Sequence, residues 1–238
     1  MAREYFTTTH WGLLLAVKRA DGAESRAALE ELCRHYWLPI YMYIQRKGYA
    51  PAQAEDLTQG FFLSVLSAGT FTRVDPAMGR FRPYLLGALE HYLAYETRSS
   101  KREKRGGRIR TFSLDWSEAE GHLQMNSTGE DSPERIFDRH WGLAVLQLAI
   151  EETKSRYKKR NKLELFEALQ SCLGQEVHHE SYAEIARSVN MTEVAIKVAV
   201  HRLRREYGKV LREVVARTLG SSEEIEDEIL YLFQALRK

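Results

Sequence analysis

The chain has 238 residues, with 35 Lys+Arg against 33 Asp+Glu, a formal net charge of +2 and 44% hydrophobic residues. That apolar share supports a buried core and excludes wholesale disorder, and no apolar run approaches the ~18 residues of a membrane-spanning helix. Cys33 and Cys172 stand alone without a CxxC, which excludes a disulfide scaffold and fits a reducing cytosol. No signal-peptide apolar segment follows Met1-Ala2-Arg3-Glu4, so the expected location is cytoplasmic.

In chain order, Ala27–Cys33 leads into Tyr36-Trp37-Leu38 with apolar positions three and four apart, which predicts a helix. Pro39 predicts a kink or break in it, and Gly48 a C-cap. A second helix starts near Pro51, with Ala54, Leu57, Phe61 and Val65 as its inward stripe. This leaves Glu55, Asp56, Gln59 and Phe62 outside, a face that by physics alone is solvated. Thr72–Arg80 reads as a loop. Phe81–Arg98 is again helical, with Phe81, Leu85 and Leu89 on a core face and Tyr84, His91 and Tyr95 more open to function. Gly106-Gly107 breaks it.

The stretch 108–132 is rich in Gly, Ser, Asp and Glu without a sustained period, and reads as a flexible linker. Ser132-Pro133-Glu134 reads as a helix start. No strand-period alternation of useful length is found. The expected fold is therefore all-α: two small helical domains joined by the linker, with boundaries 1–107, 108–132 and 133–220. An acidic amphipathic tail, 221–238, follows, carrying Ile225, Ile229, Leu232 and Leu236 at helical spacing.

Charge is segregated along the chain. Arg98–Arg110 holds seven basic residues and one acid, whereas Thr111–Asp138 holds seven acids and only Arg135 as a base. Basic character returns at Lys154–Lys162 and Lys197–Arg217, and the tail closes with Glu223, Glu224, Glu226, Asp227 and Glu228. Two basic zones flanking an acidic connector imply two surfaces for a polyanion.

The most specific local signal is Ser181–Thr192. A short helix with Tyr182, Ile185, Ala186 and Val189 as its apolar face is ended by Asn190, which tolerates the left-handed conformation. Thr192 is an N-cap for the helix that follows. There Ile196, Val200, Leu203 and Tyr207 face inward, while Lys197, His201, Arg202 and Arg205 lie opposite, with Val194 and Val198 between them. This pattern predicts a helix-turn-helix with a recognition helix fit for the major groove. Lys197, Val198 and His201 would reach base edges, and Arg204 and Arg205 phosphates. In the first half, aromatic residues beside the cations Arg98, Lys101, Arg102, Lys104 and Arg105 suit single-stranded nucleic acid, which stacks on rings while cations track its backbone.

Several of these segments together resemble one family. Ala54-Glu55-Asp56-Leu57-Thr58-Gln59-Gly60-Phe61-Phe62 resembles the second conserved region of bacterial RNA polymerase sigma factors. Gly79–Leu86 is similar to the start of their promoter-melting helix, and Lys197–Arg204 to the recognition helix of their fourth region. The order and spacing fit the extracytoplasmic-function type, over nearly the whole chain. The resemblance implies that Glu55, Asp56, Gln59 and Phe62 contact the clamp coiled coil of the largest subunit of core RNA polymerase. It implies that Arg80, Arg82, Tyr84, His91, Tyr95, Arg98, Lys101, Arg102, Lys104 and Arg105 engage the −10 element of promoter DNA. It further implies that Thr192, Lys197, Val198, His201, Arg202, Arg204 and Arg205 read the −35 element as duplex. An anti-sigma or other inhibitory protein is an expected further partner. Tyr84 stands where the family often has Trp, and His91 where it often has Asn.

A stand-alone helix-turn-helix regulator that binds operator DNA without polymerase is the alternative. It explains Ser181–Arg205 but leaves Glu55 and Asp56 idle. No catalytic constellation, cofactor loop or metal-ligand spacing is recognisable. The cluster His178-His179-Glu180 lacks further ligands, and no enzymatic activity is expected.

Overall fold

The computed structural model describes Leu14, Val17 and residues 23–66, 80–100, 131–174, 179–219 and 224–237. The expectations that fall on the loop 72–79, on Lys101, Arg102, Lys104 and Arg105, on Gly106-Gly107, on linker residues 108–130 and on His178 lie outside these residues. Every regular element among the described residues is helical: α1 (Ala23–Arg46), α2 (Pro51–Leu66), α3 (Phe81–Ser100), α4 (Pro133–Lys159), α5 (Leu163–Leu169) running into a 3-10 turn (Gln170–Leu173), α6 (His179–Ser188), α7 (Glu193–Ala216) and α8 (Ile225–Leu236). None is long and apolar enough to cross a membrane.

The contacts group the chain into two compact units, one formed within 1–144 and 215–238 and the other by Val145–Val214. This differs from the expected boundaries, which assigned 133–220 to the second domain. The start of α4 belongs with the first unit because its rings complete that core. Phe137 and Trp141 are fully buried, and Phe137 meets Tyr43 edge-on, ring centroids 6.2 Å apart. The last two residues of the expected linker are fixed as well. Asp131 offers its carbonyl to Arg46 Nε at 2.7 Å, and Ser132 Oγ accepts the Arg135 N–H at 3.3 Å, capping α4.

In the first unit, α1 packs on α2 and α2 on α3, with Leu29, Leu32, Tyr36, Ile40, Phe61, Phe81, Leu85 and Leu89 buried between them. Pro39 does not break α1, which continues to Arg46. An interior proline costs about 3 kcal/mol. Burial of Trp37, Ile40, Tyr43 and Ile44 around it offsets that, at roughly 1.5–3 kcal/mol per large apolar side chain. The helix ends as expected at Gly48, whose φ of +95° suits glycine. Gly60 has a different reason. It lies inside α2, and a Cβ there would collide with the hydroxyl of Tyr92, so the absence of a side chain lets the Tyr92 ring lie against Phe61 at 5.7 Å.

In the second unit, Tyr157, Phe166, Leu169, Cys172, Ala186, Ile196, Val200 and Leu203 form one buried cluster. Asn190 takes φ +52°, and Thr192 Oγ1 accepts the Ala195 N–H at 3.2 Å. The result is a tight four-residue turn between α6 and α7.

Candidate nucleic-acid and protein interfaces

On α2 the expected outward face is divided. Asp56 is exposed and Glu55 half-buried, but Gln59 is 9% exposed and Phe62 only 1%. Phe62 is thus a core residue, correcting its reading as an outside contact. The inward stripe is Ala54, Thr58, Phe61, Phe62 and Val65 rather than one running through Leu57, which is half-buried. Thr58 enters the core because its hydroxyl donates to the Ala54 carbonyl at 2.7 Å, a bond that satisfies the polar atom internally.

On α3, His91 is exposed, Tyr95 is 61% exposed, and Tyr84 is half-buried, its phenol pKa raised by burial. Tyr92 joins Phe81, Leu85 and Leu89 in the core. Arg98 is exposed, its Nε donating to the Ala94 carbonyl at 2.9 Å.

Arg82 departs most from expectation. It is 8% exposed. Its Nη1 lies 2.5 Å from Asp138 Oδ1 and its Nε 3.5 Å from Glu228 Oε1. Its guanidinium sits over the rings of Tyr231, at 4.4 Å, and Trp141, at 5.5 Å. Tyr231 also donates its hydroxyl to Asp138. In this arrangement Arg82 is an internal cation and not a surface contact for DNA. Arg80 is held in the same network, 3.0 Å from Glu224 and 2.9 Å from Glu228. The partners Asp138, Glu228 and Tyr231 lie far away in the chain, beyond the reach of local patterning.

On α7 the two faces separate cleanly. Ile196, Val200, Leu203, Val210 and Val214 are buried, and Tyr207 reaches the Leu146 carbonyl at 3.4 Å, burial pushing its phenol up to about 12. Lys197, His201, Arg202 and Arg205 are exposed, as are Val198 at 45% and Val194 at 72%. Positions 194, 197, 198, 201, 202 and 205 follow helical spacing along one stripe, which presents four basic side chains interleaved with two valines. Val194 was not singled out as a contact, although this spacing includes it. Arg204 is exposed as well, and its guanidinium donates twice to the Cys172 carbonyl, at 3.0 and 2.9 Å, which ties α7 to the 3-10 turn. Thr192 is exposed at the head of the stripe.

No group of three or more His, Cys, Asp or Glu among the described residues is placed to hold a metal. Comparison with known proteins returns no match to any family model, curated protein or solved structure.

Proposed function

We propose that the chain is a sigma factor of the extracytoplasmic-function type, which binds core RNA polymerase and directs promoter-specific initiation. The observation that carries this reading is the exposed stripe Val194, Lys197, Val198, His201, Arg202 and Arg205 on α7, behind a capped four-residue turn. A helix buried on one side and cationic on the other, entered through such a turn, suits the major groove. There Lys and Arg donate to guanine and valine meets the thymine methyl. Exposed Tyr95 and His91 on α3, ahead of Arg98, supply the ring-and-cation combination that an unpaired strand needs. The acidic pair Glu55–Asp56 is the polymerase-facing contact.

The test is complex formation with core polymerase. Asp56→Arg is expected to weaken it at least about tenfold while leaving the fold intact, because Asp56 is exposed and a charge reversal at an interface costs more than one exposed pair contributes. Unchanged affinity would refute the assignment of that face.

The burial of Gln59 and Phe62 favours one second reading. With two of four polymerase-facing residues inside the core, α7 also suits a stand-alone regulator of duplex operators. Such a protein binds DNA specifically without polymerase and supports no transcription with it.

A further inference from the structure

We propose that Arg80, with Arg82 behind it, forms a binding site for the phosphodiester backbone of single-stranded nucleic acid, kept filled by the chain's own acidic C-terminal helix until that helix is displaced. This rests on the nucleic-acid reading of the chain and adds an internal competitor to it. The first turn of α8 carries Glu226, Asp227 and Glu228, preceded by Glu224. Two of these four acids grip the arginines: Glu224 binds Arg80, and Glu228 lies between Arg80 and Arg82. A carboxylate offers a guanidinium the same paired acceptor oxygens as a phosphate. Glu224 and Glu228 therefore occupy the positions that two backbone phosphates would take.

The chemistry of the clasp argues for exchange and not only for anchoring. The apolar inner face of α8, with Leu232 fully buried and Leu232 and Leu236 against Gly142, suffices to seat a helix. Buried ion pairs add little net stability over apolar residues of similar size. They do make the contact replaceable by another polyanion. The segment leading into α8 is anchored beside α3 by the Phe81 N–H, which donates to the Thr218 carbonyl at 2.9 Å. Released acids thus stay near the arginines and compete as an intramolecular ligand at high effective concentration. Displacement of α8 frees Arg80 from both of its carboxylates at the start of the helix that carries Tyr84, His91 and Tyr95, while Arg82 keeps Asp138 of α4 as its partner.

The experiment measures binding of a labelled single-stranded oligonucleotide of about 20 nucleotides to the full chain, as a function of salt, by fluorescence anisotropy. Glu224→Gln with Glu228→Gln keeps side-chain size and removes both charges. Binding is expected to tighten about fivefold at low salt, with the log–log salt slope steeper by about 0.7 for each arginine that gains a phosphate. Adding Arg80→Gln to that variant is expected to remove most of the gain. Should the double variant fail to fold, Glu224→Gln alone carries the test, since this carboxylate is 51% exposed; about a twofold gain is expected. Unchanged affinity and slope in a variant with native circular dichroism overturns the inference. If the wild-type chain binds through Lys197 and Arg202 but ignores the glutamate changes, only the clasp falls. If no form binds nucleic acid, the functional reading falls with it.

Discussion

Replacing Arg82 with Met removes a cation from among buried acids. Asp138 is 7% and Glu228 1% exposed, and Arg82 sits between them at 2.5 and 3.5 Å. Breaking a buried pair from one side costs about 3–5 kcal/mol, against about 0–1 for an exposed pair. Glu228 keeps Arg80 at 2.9 Å, and Met retains part of the packing against Tyr231 and Trp141, so the loss falls at the lower end, about 3 kcal/mol. For a chain of this size that lowers Tm by about 6–12 °C. Urea unfolding at pH 7, followed by far-ultraviolet circular dichroism, reads the loss directly. Arg82→Lys keeps the charge without the fork and is expected to lose about half as much. Adding Asp138→Leu to Arg82→Met removes the stranded carboxylate and is expected to recover more than half of the loss. A loss below about 1 kcal/mol for Arg82→Met, the range of surface pairs, would refute the assignment of Arg82 as an internal cation.

Four further outcomes follow from other sites. Gly60→Ala forces a Cβ onto the Tyr92 hydroxyl and is expected to destabilise by about 1–3 kcal/mol, a loss that Tyr92→Phe in the same chain relieves; equal stability of Gly60→Ala and the parent would contradict the packing. His35, its imidazole 13% exposed, is lowered to about 4 by burial, then by Arg34 and Arg217. The unfolded chain therefore takes up a proton that the folded chain refuses between pH 6.5 and 4. Stability from this group is complete above pH 6.5 and falls away toward pH 4, by about 2–3 kcal/mol, with Glu31 at 4.0 Å from Nε2 working against burial; urea midpoints for His35→Gln should show a flatter slope across that window. Lys197→Ala with Arg202→Ala removes two exposed cations and is expected to relax duplex sequence preference by about 1–3 kcal/mol per lost base contact, read by competition between specific and scrambled duplexes. Val194→Ala should matter only at sites bearing a thymine opposite it.

Local chemistry was legible wherever a residue acts on its own neighbourhood. Asn190, Thr192 and Ser132 each end or cap a helix as their side chains dictate, and Gly48 does so by having none. The two faces of α7 follow from spacing alone. The misreadings come from contacts that sequence distance hides. Thr58 enters the core with its hydroxyl satisfied inside its own helix, and the buried stripe of α2 takes in Phe62 as well. Arg82 reads as a surface cation because its acids lie 56 and 146 residues away, and the tie of exposed Arg204 to a carbonyl 32 residues earlier is hidden in the same way. The helix of the acidic tail packs within the first unit through Glu224 and Glu228, whose arginine partners lie 144 and 146 residues earlier. The near-neutral total of +2 conceals these internal pairings as well as the cationic stripe of α7.

Transcription in vitro with purified core polymerase reads promoter-directed initiation itself. Adding the chain is expected to yield transcripts from discrete start sites on native genomic templates, and Lys197→Ala with Arg202→Ala to change which sites are used. No start-site-specific transcription over core polymerase alone, with the chain folded and in excess, would contradict it.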